Sequence, residues 1–160
     1  MKRIVLQKPD GSILVVTPAG EMIDGETETE YLDRIAARTL AAVPSFSGCV
    51  RLADVELSDI PSRRFREAWR QVGGGIGVDL PSARSIVMAD LRAERNRRLT
   101  ETDAEKNRLD DVGTSQEKQA LRVRRQALRD LPVVVAAEIA AMTAGQLEAY
   151  RAAWPNLAEV

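Results

Sequence analysis

The sequence contains no histidine, a single cysteine (Cys49) and only two residues each of phenylalanine, tryptophan and tyrosine. Without histidine, a Ser-His-Asp triad, a Cys-His pair and a histidine-assisted zinc site are excluded, and one cysteine cannot form a disulfide within the chain. We predict no catalytic residue, no cofactor-binding residue and no metal ligand in this chain. Acid-base catalysis by aspartate or glutamate alone stays open.

Long apolar segments and an excess of charge of one sign are also lacking. The most apolar stretch, Val133–Met142, is interrupted by Glu138 and is about half as long as the roughly 20 residues of a membrane span. The apolar run Ile4–Leu6 is too short for the core of a signal peptide. The 23 basic and 24 acidic residues give a net charge of −1, which is not typical of nucleic-acid-binding proteins. These features predict a soluble cytoplasmic protein, or part of a particle assembled in the cytoplasm, with no membrane or nucleic-acid partner.

Turn-forming residues are concentrated in the first half of the chain. Residues 1–81 hold eight of the ten glycines and five of the seven prolines. Two short apolar runs in this half, Ile4–Leu6 and Ile13–Val16, flank Lys8–Ser12, in which a proline and a glycine favour chain reversal. This pattern predicts a β-hairpin. The second half, which has few glycines and prolines, is predicted to be almost entirely helical.

A helix and a third strand are predicted to follow the hairpin. Thr27 and Glu30 have the spacing of a capping box. The apolar residues behind them recur at helical intervals, and the helix is expected to end before Pro44. Cys49–Val55 alternates in polarity and contains enough β-branched residues for a strand. Residues 1–58 are therefore predicted to form a small α+β unit in which the helix covers one face of an antiparallel sheet.

Residues 59–81 are interpreted as a connector. Phe65 and Trp69 are four residues apart, which places both on one face of one or two predicted helical turns. Gly73–Gly75 then breaks the helix, and Ile76–Leu80 is predicted to be a short strand or an extended link. The glycines are interpreted as a flexible turn rather than a phosphate-binding loop, because no Lys-Ser or Lys-Thr pair follows them.

Residues 82–160 are predicted to form a helical hairpin and a short terminal helix. The first arm starts near Pro81, runs to about Leu109 and is ended by Gly113. The return arm begins with a second capping box, Thr114–Glu117. The hairpin is lined by alanine and leucine, and whether this face packs within the chain or between chains stays open at this point.

The return arm carries three leucines at coiled-coil spacing. They are Leu121, Leu128 and Leu131. Pro132 is predicted to stop or bend this arm. A third capping box, Thr143–Gln146, precedes a short helix that Pro155 is expected to terminate.

Other motifs are given structural interpretations. Ser115–Lys118 matches the Ser-x-x-Lys pattern of some serine hydrolases, but the companion elements of those enzymes are missing and helix capping explains the hydroxyl. The basic clusters Arg95–Arg98 and Arg122–Arg125 lie among acidic residues in the same two helices. This mixture predicts a solvated surface or ion pairs between helices rather than a nucleic-acid interface. Cys49 is interpreted as a small core residue.

The candidate partner-binding residues lie in two short segments that flank the helical hairpin. They are Phe65, Arg66, Trp69 and Trp154. Two interpretations stay open for them. Aromatic side chains dominate the packing of small cores, which favours a satellite core between the two halves of the chain. Exposed tryptophan and arginine side chains are also typical anchors for a protein partner.

Five segments occur along the chain in a recognisable order. They are Lys8–Ser12, Arg64–Trp69, Val78–Arg84, Arg125–Pro132 and Ala137–Pro155. This order resembles small tail-associated proteins of tailed bacteriophages and prophages, which are commonly described as tail-fibre or tail assembly chaperone-like proteins. The resemblance covers most of the chain from Arg64 onward and carries no catalytic residue with it.

The resemblance implies a non-enzymatic protein that binds a tail fibre or another tail component during assembly in the host cytoplasm. One alternative is a permanent part of the virion tail, such as a fibre adaptor, and a second is a small regulatory or anti-defence binding protein. Homo-oligomerisation stays open. The edge of the predicted β-hairpin can add to a partner's sheet, and the helical hairpin can pack against a partner's helices or another copy.

Overall fold

The computed structural model describes residues 2–150, and the chain divides into two compact units, Met1–Ser82 and Ala83–Val160. The strands are β1 (Ile4–Gln7), β2 (Ile13–Val16), β3 (Val50–Arg51), β4 (Trp69–Val72) and β5 (Gly75–Val78). The α-helices are α1 (Glu28–Ala42), α2 (Leu80–Glu101), α3 (Asp103–Val112), α4 (Ser115–Val134), α5 (Ala136–Ala141) and α6 (Ala144–Ala149). Short 3-10 helices cover Pro44–Phe46, Leu57–Asp59 and Arg63–Ala68. The predicted α+β class is confirmed.

The predicted N-terminal hairpin is confirmed. β1 and β2 pair antiparallel, from Ile4 opposite Val16 to Gln7 opposite Ile13. The turn between them contains Gly11 at φ +80°, a left-handed conformation that glycine adopts without a Cβ clash. The glycine that favours chain reversal in the sequence therefore lies where the backbone requires it.

Helix α1 begins at the predicted capping box. The Glu30 N–H donates to Thr27 Oγ1 (3.3 Å), and the Thr27 N–H donates to Glu30 Oε2 (2.8 Å). The helix ends at Ala42, before Pro44 as predicted. Its buried face packs against β1 in a cluster made of Ile4, Leu6, Tyr31, Leu32, Ile35 and Ala36. The half-buried Cys49 packs against this cluster, as expected of a small core residue.

β1 is the central strand of a three-stranded sheet with the order β2-β1-β3. The third strand is shorter than predicted, because Val50–Arg51 pairs with β1 as a strand and Val55 adds an isolated bridge to Arg3. A second buried cluster contains Val5, Ile13, Val55 and Trp69. Since successive side chains of a strand point to opposite faces, β1 contributes apolar residues to both clusters.

The predicted connector contains more regular structure than expected. Arg63–Ala68 is a 3-10 helix, and Trp69 is the first residue of β4. The predicted helical turns are present as this 3-10 helix, but Trp69 lies outside it, so the prediction that Phe65 and Trp69 share one helical face is wrong. β4 pairs with β5 across Gly73 and Gly74, whose φ angles are 56° and 85°. Two adjacent residues at positive φ make a tight hairpin turn whose twist matches the strands, so the predicted glycine turn joins two paired strands.

The first arm of the helical hairpin is divided into two helices. α2 starts near the predicted place, where the Asp79 carboxylate accepts the Ser82 N–H at 3.0 Å, as N-cap side chains do. It ends at Glu101, and α3 begins after Thr102. The prediction of one arm running to about Leu109 is wrong in this respect.

The return arm α4 starts as predicted, with the complete capping box of Thr114 and Glu117. The three regularly spaced leucines are buried. A stop at Pro132 is not observed, since the helix continues to Val134. A proline removes one helical hydrogen bond, and the buried position of Pro132 supplies packing that offsets this loss.

Helices α5 and α6 end the described part of the chain. α6 begins at the predicted box of Thr143 and Gln146. It ends at Ala149, and Tyr150 (φ −59°, ψ 129°) has left the helical conformation. This helix is therefore shorter than the sequence predicts, and its expected terminator, Pro155, lies outside the described residues.

Candidate partner-binding surfaces

The helical hairpin is held together by Arg125 of α4. Its Nη1 donates to Thr102 Oγ1 (2.6 Å), to Asp103 Oδ1 (2.8 Å) and to the Leu99 carbonyl (3.2 Å). Thr102, which is 4% exposed, donates its own hydroxyl to the Leu99 carbonyl (2.7 Å). One guanidinium group therefore links α4 to the end of α2 and to the start of α3.

Several residues of the two basic clusters are paired with carboxylates. Arg97 and Arg98 both pair with Glu94, at 2.6 and 2.8 Å. The hydrogen bond from Arg97 lowers the pKa of Glu94 to about 2. Between α3 and α4, Arg124 pairs with Glu105. The contact between Arg124 and Glu105 agrees with the predicted ion pairs between helices, whereas the two pairs of Glu94 lie within α2.

A groove of about 710 Å³, which we call the α3–α4 groove, lies along these two helices. Five basic residues line it, namely Lys106, Lys118, Arg122, Arg125 and Arg129, together with the carboxylate of Asp110. Two buried leucines, Leu109 and Leu121, also line it. The four basic residues of α4 are spaced by four, three and four positions, which places them on one face of the helix. The groove therefore has a strongly positive wall and an apolar part.

The positive charge of the α3–α4 groove affects the Asp110 carboxyl. The hydrogen bond from Lys106 Nζ (2.8 Å) lowers the pKa of the Asp110 carboxyl, and the charges of Lys118 and Arg122 lower it further. Arg122 and Arg129 are both exposed, and neither forms a hydrogen bond or ion pair with another described residue. These two guanidinium groups are available to a ligand.

A second groove of about 950 Å³, which we call the β2 groove, lies in the N-terminal unit. It is lined by β2 and by residues of the segment 57–70. The charged residues that line it are Arg3, Lys8, Arg63, Arg66, Arg70, Asp10 and Glu67. Basic groups therefore outnumber carboxylates in this groove as well.

Strand β2 lies at an edge of the three-stranded sheet, because β1 is its one neighbour in the strand order β2-β1-β3. The Lys8 N–H donates to the Ser12 carbonyl (2.9 Å). Hydrogen-bonded pairs alternate along an antiparallel ladder, so the backbone groups of Ile13 and Val15 point away from β1. An extended segment of another chain can pair with these groups.

The structure places the sequence-predicted partner-binding residues in different environments. Phe65 and Trp69 are only 1% and 5% exposed. The Trp69 indole Nε1 is buried without a hydrogen-bond partner among the described residues. The exposed Arg66 lines the β2 groove together with Trp69, and Phe65 is not among the residues that line it. Trp154 lies outside the described residues.

Arg129 is not among the candidate binding residues predicted from the sequence, and Arg122 is predicted there to belong to a cluster of mixed charge. The four-three-four spacing of basic residues along α4 is the sequence signal that identifies their common face. Their separation from the neighbouring carboxylates depends on how α3 packs against α4, and a linear pattern does not contain that information.

Within residues 2–150, no group of three or more histidine, cysteine, aspartate or glutamate side chains is arranged to hold a metal ion. The same residues contain no helix with the length and apolar character of a membrane span. The two grooves offer ion pairing, apolar burial and strand pairing, which are the interactions of a binding protein.

A segment of the helical hairpin is similar to a known protein family. Residues 88–137 match the model of a family described as phage tail assembly chaperone protein. Neither a curated protein nor a solved structure shows significant similarity to this chain. The match covers 50 of the 160 residues and extends from within α2 through α3 and α4 into α5.

A phage assembly chaperone acts in the host cell while virions are assembled, and it acts in general by binding rather than by catalysis. The matched segment contains the residues that line the α3–α4 groove. The match confirms the resemblance to phage tail assembly chaperone-like proteins, and it does so for residues 88–137.

Proposed function

We propose that this protein binds a tail fibre protein, or another tail component, during assembly and leaves before the particle is complete. The observation that carries the proposal is the coincidence of the family match with the helical hairpin. The hairpin has a buried leucine face, ion pairs between its arms and a groove with free cationic groups. It acts as a preformed binding surface and needs no chemical step.

The N-terminal unit supplies a second contact in this proposal. The outward backbone groups of Ile13 and Val15 add a strand of the tail protein to the sheet. Arg66, beside the apolar body of Trp69, binds a carboxylate of that strand. This assignment develops the interpretation of Arg66 and Trp69 as anchors for a partner. Because Trp69 is buried, it contributes to the partner contact as part of the groove wall and not as an exposed anchor.

Quantitative peptide mass spectrometry on purified phage particles and on the infected lysate tests whether the protein leaves before the particle is complete. We expect abundant peptides of this chain in the lysate and none at stoichiometric level in the particles. Stoichiometric peptides in the particles would make the protein a permanent tail component and would overturn the departing-chaperone proposal. The same lysate, passed over the tagged full-length chain, should yield an identified tail protein.

A pair of variants at one position tests strand addition. Val15→Pro removes the N–H that points away from β1, whereas Val15→Ala keeps it and shortens the side chain. We expect the alanine variant to capture the tail protein and the proline variant to lose it, while thermal melting shows that both fold. Equal capture by the two variants would exclude β2 as the contact.

A further inference from the structure

The α3–α4 groove combines positive charge with a regular spacing. Arg122 and Arg129 are seven residues apart on α4, which is about 10.5 Å along the helix axis. Both are exposed and neither has a hydrogen-bonding or ion-pairing partner among the described residues. A guanidinium group binds a carboxylate through two parallel N–H donors. The geometry therefore fits two carboxylates about 10.5 Å apart.

Apolar residues line the same groove as these two cationic groups. Val123, 49% exposed, lines the groove, and the buried Leu109 and Leu121 lie in its wall. A ligand that places an apolar side chain against Val123 and carboxylates on the arginines removes the exposed part of Val123 from water, whereas the two leucines are already buried in the protein. Two carboxylates seven positions apart on a helix have the matching separation.

From these features we infer that the α3–α4 groove binds an acidic amphipathic helix of the tail component. This inference rests on the proposed function, because it names the chemistry of that component. Charge complementarity selects the ligand: five basic residues and one carboxylate line the groove. A nucleic acid fits less well, because the basic wall spans only about 16 Å of α4 and carboxylates such as Glu105 and Glu117 flank it on α3 and α4.

Fluorescence anisotropy with the full-length chain tests the inference. The probe is a fluorescein-labelled helical peptide of about five turns, with glutamates seven residues apart and leucines between them. The control peptide has glutamine in place of each glutamate. We expect the glutamate peptide to bind at least about tenfold more tightly than the glutamine peptide, since charge-assisted hydrogen bonds replace neutral ones.

Matched variants assign the binding to the groove. Arg122→Gln with Arg129→Gln is compared with Arg92→Gln and Arg108→Gln, which removes the same charge at exposed residues outside the groove. We expect the first pair to weaken peptide binding about tenfold or more and the second pair to change it by less than about twofold. Arg122→Lys with Arg129→Lys keeps the charge without the planar donors, and should restore part of the binding.

Three outcomes overturn the inference: equal weakening by the two glutamine pairs, equal binding of the two peptides, or tighter and steeply salt-dependent binding of a DNA duplex. Capture from infected lysate separates this inference from the proposed function. If the groove variant captures the identified tail protein as well as the unchanged chain does, the inference fails and the proposed function stands. If the unchanged chain captures no tail protein, the proposed function fails, and the peptide measurement still decides whether the groove binds an acidic helix.

Discussion

Arg125 Nη1 donates a hydrogen bond of 2.6 Å to Thr102 Oγ1, and the two residues are 23 positions apart in the chain. The Arg125 side chain is only 14% exposed, and Thr102 lies at the break between α2 and α3. The bond stabilises that break, because the guanidinium group also reaches the Leu99 carbonyl and the Asp103 carboxylate.

Arg125→Ala is expected to lower the free energy of unfolding by about 1–3 kcal/mol, since it removes three hydrogen bonds that hold two helices to a third. Urea denaturation followed by far-ultraviolet circular dichroism measures this loss. Arg129→Ala is the matched control on the same helix, and its effect should stay within about 0.5 kcal/mol because Arg129 is exposed and unpaired among the described residues. Equal effects of the two variants would contradict a structural role for Arg125.

Trp69→Ala is expected to destabilise the N-terminal unit by about 3–5 kcal/mol, because Trp69 packs with Val5, Ile13 and Val55. A less cooperative thermal transition should accompany this loss. Arg66→Ala, at an exposed residue of the same groove, should leave the transition in place and weaken capture of the tail protein. A stable Trp69→Ala variant that loses capture would instead assign Trp69 to the partner contact.

Gly113→Ala is expected to destabilise the hairpin by about 1–3 kcal/mol. A Cβ at this position would lie 2.6 Å from the Leu109 carbonyl oxygen and 2.8 Å from Leu109 Cα, so backbone must move to accept it. Gly145→Ala is the control in α6, where a Cβ meets no atom within 4 Å. That change should stabilise the protein by about 0.4–1 kcal/mol, because alanine favours the helix. Thermal unfolding of both variants should show shifts of opposite sign.

Glu26 is expected to make the N-terminal unit sensitive to acid. The Arg34 guanidinium donates to its carboxylate at 2.7 Å and lowers the pKa of Glu26 from 4.5 to about 2. A group whose pKa is lower in the folded state adds stability above its unfolded pKa, and this stability is lost as the pH falls through the folded pKa. The loss therefore falls between pH 4.5 and about pH 2.

Melting temperatures recorded across this pH range test the role of Glu26. In the Glu26→Gln variant the melting temperature should fall less steeply as the pH is lowered, since glutamine does not titrate. Glu21→Gln is the control, because Glu21 accepts a hydrogen bond from Arg34 through its backbone carbonyl rather than its carboxylate. An unchanged acid slope in the Glu26→Gln variant would show that this ion pair does not contribute.

Local features of the fold are readable from the sequence. The three capping boxes, the Lys8–Ser12 turn and the buried face of α4 each depend on residues within a few positions of one another. Features that depend on distant residues are not readable in this way. The break at Thr102 is stabilised by Arg125, and the continuation of α4 past Pro132 depends on burial of the proline.

The candidate surfaces also combine features that can be predicted from nearby residues with features that depend on residues distant in the sequence. The spacing of Arg122 and Arg129 is present in the sequence, but their freedom from ion pairs follows from the way α3 pairs its carboxylates with other basic residues. For Trp69, the spacing in the sequence leads to a wrong prediction. A residue four positions after Phe65 would lie on the same face of a helix as Phe65. Pairing of β4 with β5 takes Trp69 out of that helix and into the core of the N-terminal unit.

The capping boxes at Thr27, Thr114 and Thr143 have a consequence for the order of folding during translation. Each box is complete within four consecutive residues, so all the groups that start the helix leave the ribosome together. Helix nucleation is the costly step of helix formation, and contacts between residues close in sequence form early. Helices α1, α4 and α6 can therefore each start from the residues of their own first turn, before the segments that they pack against have docked.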